Sequence, residues 1–287
     1  MSKPVNQNNP LLRFMRQPKI YISLPSQGQY WPAGSIDIPD NGQLPVYSMT
    51  AKDEIMFKTP DALMNGQAIV DVIQSCIPNI KNAWLTPSID LDMLLISIRL
   101  ATYGDKMSIM YRPPGADEDL EYQLDLHEFI DKMSNNVWIE QVPVSEDMIV
   151  FVKPLTYRNM SQITAKSFET TKMMQLADNP ELAEADKIRL VTDSFKTLTE
   201  LTTDMVLGSI LKIKTSEGDV TETRFIREFI ENVDKSLIDT IQNHINSLKE
   251  QNEIKPVKVA TTPEQQEAGA PEFIEIPVSF DNANFFG

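Results

Sequence analysis

The sequence is poor in the residues from which catalytic and metal sites are built. One cysteine, Cys76, stands among 287 residues, so no internal disulfide forms and no oxidising compartment is required. Only two histidines occur, His127 and His244. The first falls at a strand-to-helix junction and the second inside a long helical stretch, so both read as boundary or surface residues. One cysteine and two distant histidines assemble no Cys/His zinc site. There is no phosphate-cradling glycine loop, no metalloprotease helix motif and no nucleophile elbow. Asp117-Glu118-Asp119 and Glu146-Asp147 lack the alternation, the glycine and the closing Glu of a calcium loop. The chain is therefore not expected to be an enzyme, nor to need a cofactor, metal or small-molecule substrate. One catalytic reading stays open, a metal-dependent hydrolase built on an acidic cleft of Asp90, Asp92 and residues 117–119.

Positive charge is also scarce. Lys and Arg number 26 against 41 Asp and Glu, a formal charge of −15. That balance argues against nucleic acid as a partner, because such binding needs a basic footprint. No run of about 18 apolar residues occurs that could span a bilayer, and the opening MSKPVNQNNP has no apolar core of a secretory signal. A soluble chain of the cytoplasm, with no membrane partner, is the expectation.

What is present is a mixed pattern of short strands and long helices, an α+β chain. Residues 1–16 read as a flexible arm ending in the apolar hook Leu11-Leu12-Arg13-Phe14-Met15. Residues 17–155 read as an α+β platform, its first part broken by Pro18, Pro25, Pro32, Pro39 and Pro45 into irregular β structure. A helix is expected over about 61–77, with Ile69, Val72, Ile73 and Cys76 on one face. That face makes Cys76 a buried, inert thiol. A second helix, about 88–103, carries Leu91, Leu94, Leu95, Ile98 and Thr102 inward. Ser88 is its expected cap and Gly104 its end, while Asp90 and Asp92 complement the helix dipole. A hairpin over 106–126, a short helix 127–133 and strands within 137–155 follow.

Residues 156–250 read as a helical domain. Met160, Ile163, Ser167, Phe168 and Met174 mark one amphipathic helix. Ile188, Val191, Phe195, Leu198, Thr202 and Met205 form a 3-4-3-4-3 stripe that a partner helix should cover. The expected partner is the helix of residues 222–250, joined to it by a turn at Gly218-Asp219. Residues 251–272 read as a linker, and 273–287 as a C-terminal strand and Phe-Phe tail.

The stretch IYISLPSQGQYWPAG, residues 20–34, combines a strand, a turn and an aromatic-proline closure. Gly28 supplies a positive φ there. Tyr30 and Trp31 supply apolar area with polar tips, and are read either as a structural clasp or as a partner surface.

Several phrases resemble one family, the baseplate hub proteins of T-even-type contractile-tailed bacteriophages. They are Leu24-Pro25-Ser26-x-Gly28-x-Tyr30-x-Pro32, then Leu44-Pro45-Val46-Tyr47-Ser48-Met49-Thr50-Ala51-Lys52-Asp53-Glu54, then Lys58-Thr59-Pro60-Asp61-Ala62-Leu63-Met64-Asn65-Gly66. Pro87-Ser88-Ile89-Asp90-Leu91-Asp92, Arg99-x-Ala101-Thr102-Tyr103-Gly104 and Phe280-Asp281-x-x-Asn284-Phe285-Phe286 complete the set. The likeness is dense from about residue 18 to 126 and looser over the helical half. It implies a non-enzymatic tail protein whose partners are other baseplate hub and tail proteins. That protein is either a hub subunit or a transient chaperone-like assembly factor, found in the host cytoplasm during assembly and, for a subunit, in the virion baseplate.

Members of this family often carry Cys-x-x-Cys pairs in the hairpin loop and before the terminal Phe-Phe. Both places lack cysteine here, at residues 111–115 and 261–266, so the resemblance implies kept hairpins without metal. The candidate partner-binding residues are Tyr30, Trp31, Phe273, Ile274, Phe280, Phe285 and Phe286. The tail either adds a strand to a neighbour's sheet, with Phe285 and Phe286 in a pocket, or docks on its own chain.

Overall fold

The computed structural model describes residues 11, 14–57, 66–112, 119–179, 182–263, 266 and 271–276. The chain is α+β: several small antiparallel sheets are packed by helices around two main cores and one minor core.

Helix α3, Ser88–Tyr103, is the axis of the first core, with twelve of its sixteen residues buried. Burial on every side, polar Asp90, Ser97 and Arg99 included, is the signature of a helix surrounded by the rest of the core. Around it lie the ribbon of β1 (Pro18–Ile22) and β2 (Leu44–Tyr47), then α1 (Ala51–Phe57) and α2 (Gln67–Cys76). The hairpin of β3 (Lys106–Tyr111) and β4 (Leu120–Asp125) and helix α4 (Leu126–Met133) close the core. Asp125 caps α4 by accepting the His127 N–H at 2.9 Å.

The second core is organised by a four-stranded sheet in the order β5 (Gln141–Ser145), β6 (Met148–Val152), β7 (Ile210–Thr215), β8 (Gly218–Val220). Helix α5 (Tyr157–Ala177) leaves the sheet and α6 (Glu184–Ser209) returns to it, an antiparallel hairpin packed along its length. Helices α7 (Thr223–Asn232) and α8 (Lys235–Asn252) complete this core, where Val150, Val152, Ile213, Ile226, Ile241 and Leu248 are buried together. The third core is small: Tyr122 of β4 meets Ile274 and Ile276 of β10 (Phe273–Ile276), which pairs with β9 (Val257–Ala260).

Several expectations change. The boundary at residue 155 runs through a sheet, because β6 pairs directly with β7. The partner of α6 is α5, not the segment 222–250. The turn at Gly218 joins β7 to β8, and segment 222–250 is broken by extended backbone at Val233 and Asp234. The linker over 251–272 contains β9, whose Val257 packs on the first core. Ser88 is not a side-chain cap: Pro87 holds that position and the Ser88 N–H donates to Leu155 O at 2.8 Å. The expected start of α2 at residues 61–65 lies outside the described residues, and α1 was not expected at all. Arg16, placed in the arm, is anchored: its guanidinium donates to Ser48 O and Ser75 O, both at 2.6 Å, and stands 3.7 Å from Asp53.

Candidate functional site: a clasp between two cores

Residues 24–31 fold as overlapping turns. Gln27 N–H donates to Leu24 O, Gln29 N–H to Ser26 O and Trp31 N–H to Gly28 O. Gly28 sits at φ 84°, and a Cβ there would come within 2.3 Å of Ile38 Cδ1. The positive φ favours glycine there, and a larger side chain would also have to displace the tip of Ile38. The turns aim three donors at one carboxylate. Ser26 N–H donates to Asp90 Oδ1 at 2.9 Å, Ser26 Oγ to Oδ2 at 2.5 Å and Trp31 Nε1 to Oδ2 at 2.8 Å.

Asp90 is fully buried in the first turn of α3. Burial raises its pKa above the usual carboxylate range, and the bonds from Ser26 and Trp31 oppose that rise. Its role is thus an internal acceptor and not a dipole complement at the surface. Asp92, beyond the first turn, is pushed up to about 6 by burial, with Glu253 adding repulsion.

The clasp stands where the two main cores meet. Trp31 is buried in the first core, whereas its neighbour Tyr30 packs on the second. Burial, then a hydrogen bond with Glu140 and that residue's charge, raises the Tyr30 phenol. Along α3, Ile89 belongs to the second core and Leu91 to the first. Pro87 and Thr156 form a bridge, Tyr157 N–H donates to Thr86 O at 2.8 Å, and the Trp84 and Tyr157 rings stack at 5.6 Å. The Ser26 N–H and Oγ and the Trp31 Nε1–H are all spent on Asp90, and Trp31 is 8% exposed, the geometry of the clasp reading. Tyr30 is half-buried by the same arrangement.

The remaining candidate residues are dispersed. Gly104 ends α3 at φ 94°, its N–H on Leu100 O. Phe273 and Ile274 pair in cis with Ala260 and Val259. Ile274 is buried, while Phe273 is half-exposed beneath Lys258 Nζ at 4.9 Å. Thr261 closes this hairpin, with Oγ1 on Pro271 O at 2.6 Å and N–H on Glu272 O at 3.0 Å. Phe280, Phe285 and Phe286 lie outside the described residues.

Among the described residues the acidic cleft is not assembled. Asp90 is enclosed by its donors, Asp119 pairs with Arg112 at 2.9 Å, and residues 117 and 118 lie outside the described residues. His244 faces Ile139 O at 3.0 Å. Cys76 is buried, its thiol pushed up to about 12 by desolvation. Among the described residues no group of three or more His, Cys, Asp or Glu is placed to hold a metal ion, and no helix is long and apolar enough to cross a membrane. Sequence reading missed the Asp90 partnership. The one signal for it was chemical: a buried indole N–H needs an acceptor, but nothing in the spacing points 59 residues ahead.

The class this fold defines is an α+β scaffold with a buried polar clasp that fastens one part of the chain to another. The chain belongs to the T4 bacteriophage base plate protein family, whose model matches residues 35–268. No curated protein and no solved structure shows a significant match. Family membership makes this a phage baseplate protein, which implies interaction with other tail proteins.

Proposed function

We propose that the chain is a non-enzymatic structural subunit of the baseplate hub, acting through protein–protein contacts in tail assembly. The family match over residues 35–268 carries this reading. The clasp supports it, because three donors on one buried carboxylate fix residues 26–31 on α3, from which Tyr30 and Ile89 reach the second core, giving the rigidity a structural subunit needs. The test is quantitative mass spectrometry of intact tails against assembly intermediates. A hub subunit is retained in the finished tail at a fixed ratio to its neighbours. A chain present in intermediates and missing from finished tails is instead a transient assembly factor, and that result would sink the subunit reading.

A further inference from the structure

The hairpin α5–α6 inverts the usual arrangement of side chains. Its buried positions include Thr170 and Ala177 on α5 and Ser194 and Leu201 on α6. Large apolar side chains point outward: Ile188 is 61% exposed, Phe195 60% and Phe168 50%, with Val191, Met173 and Leu176 also open. On α6 two stripes therefore run side by side. Ser194 and Leu201 face α5, while Ile188, Val191 and Phe195, at 3-4 spacing, face no element of the described residues. Helix α8 shares a cavity with the last turns of α6, lined by Thr202, Met205, Val206 and Ser209.

The open stripe is uncharged from residue 188 to 202 along positions 188, 191, 192, 195, 198, 199 and 202, a length of about 20 Å. Its threonines need no water. Thr192, Thr199 and Thr202 donate their hydroxyls to Ile188 O, Phe195 O and Leu198 O at 2.8–3.0 Å, leaving methyl groups outward. Most charges of α6 keep to rows of their own at seven-residue spacing, Asp186, Asp193 and Glu200, and Arg189 and Lys196. Lys187 at the stripe's edge pairs with Glu184 at 3.8 Å, and Asp204 with Arg227 at 3.1 Å. A face built this way can be buried without stranding a polar group.

We propose that this stripe is the docking seam for one amphipathic helix of another tail subunit, an inference that rests on the chain's place in tail assembly. The 3-4 repeat specifies a helix as occupant, since knobs at that spacing interlock with a partner of the same period. A second copy is disfavoured on two grounds. Each copy carries −15, and like net charges repel. The three central side chains expose on the order of 300 Å² per chain, so two copies would bury roughly half of the ~1,200 Å² a stable specific interface needs. A neutral or basic helix from a neighbour held elsewhere in the assembly meets both conditions.

The experiment uses the full chain. Ile188→Asp/Phe195→Asp is compared with Arg189→Ser/Lys196→Ser, which changes charge equally off the stripe. Both are expected to be monomers with Tm within about 2 °C of the parent. In infected cells, recovery of the stripe variant in tail-assembly intermediates should fall at least about tenfold, with the control unchanged. p-Benzoylphenylalanine at position 195 should crosslink to an amphipathic helical peptide of a different tail protein. Equal recovery of both variants, a crosslink to a second copy of this chain, or a Tm loss above about 5 °C in the stripe variant would overturn the seam. If the parent chain itself never enters intermediates, the subunit reading fails first and the seam with it. If the parent enters and the stripe variant enters equally, only the seam fails.

Discussion

The clasp and the α5–α6 hairpin place polar and apolar groups in opposite ways. At the clasp a carboxylate, a hydroxyl and an indole N–H are buried and mutually satisfied. Along the hairpin, phenylalanine, isoleucine and leucine face solvent over a buried line that includes threonine, alanine and serine. A buried, fully bonded polar group is costly to disturb, because each partner left behind keeps its desolvation penalty. An exposed apolar residue makes little difference to the monomer when changed. Stability should thus reside at the clasp and recognition on the hairpin, and substitutions in the two regions should separate accordingly.

The largest effect is expected from Asp90→Ala, which strands the Ser26 and Trp31 donors together. A loss of about 3–5 kcal/mol should appear as a lowered urea midpoint. A cost below about 1 kcal/mol would mean that the turn is held on α3 by something else. Next is Gly28→Val, expected to cost about 2–3 kcal/mol from strained φ and the clash with Ile38. Adding Ile38→Ala should recover only the clash portion. Trp31→Phe keeps the ring area and removes one donor, so about 1 kcal/mol is expected by the same denaturation.

Asp92 gives a pH-dependent test of the clasp's surroundings. Its folded pKa, about 6, is above that of the unfolded chain. The folded state therefore binds the proton more readily, and this contribution is complete below the unfolded value and lost as pH rises through about 6. Asp92→Asn should raise Tm by about 2–4 °C at pH 7.5, change it little at pH 4, and flatten the slope between. A parallel shift at both pH values would show that packing, not titration, is responsible. The smallest effect belongs to the hairpin: Phe168→Ser should move stability by less than about 0.5 kcal/mol while removing the Lys172 contact at 4.4 Å from the ring centroid.

Much of the first core was legible because its elements are long and strongly patterned. The apolar face of α2 and the nearly unbroken apolar run of α3 admit few other readings. Helix α1 escaped because seven residues with two buried positions, Asp53 and Phe57, give periodicity nothing to repeat. On α6 the more apolar stripe drew the assignment of its partner, yet the face packed on α5 includes the small Ser194. Period identifies a face but not what covers it, and small residues in tight helix contact look polar in sequence. The break at Val233-Asp234 was hidden for a related reason, since Ile226, Phe229, Leu237 and Ile241 keep helical spacing across it. Tyr30 and Trp31 were legible as important, but their destinations depend on Asp90 and Glu140, which only the folded chain brings near.

The third core bears on the order in which the protein can be completed during synthesis. Tyr122 waits for Ile274 and Ile276, about 150 residues later, and the ribosome takes on the order of 10 s to make that stretch. Until then the outer face of the β3–β4 hairpin has no cover, and a chain ending early never acquires one. Closure by β10 therefore makes the third core the last to form, complete only once the chain has been made beyond residue 276.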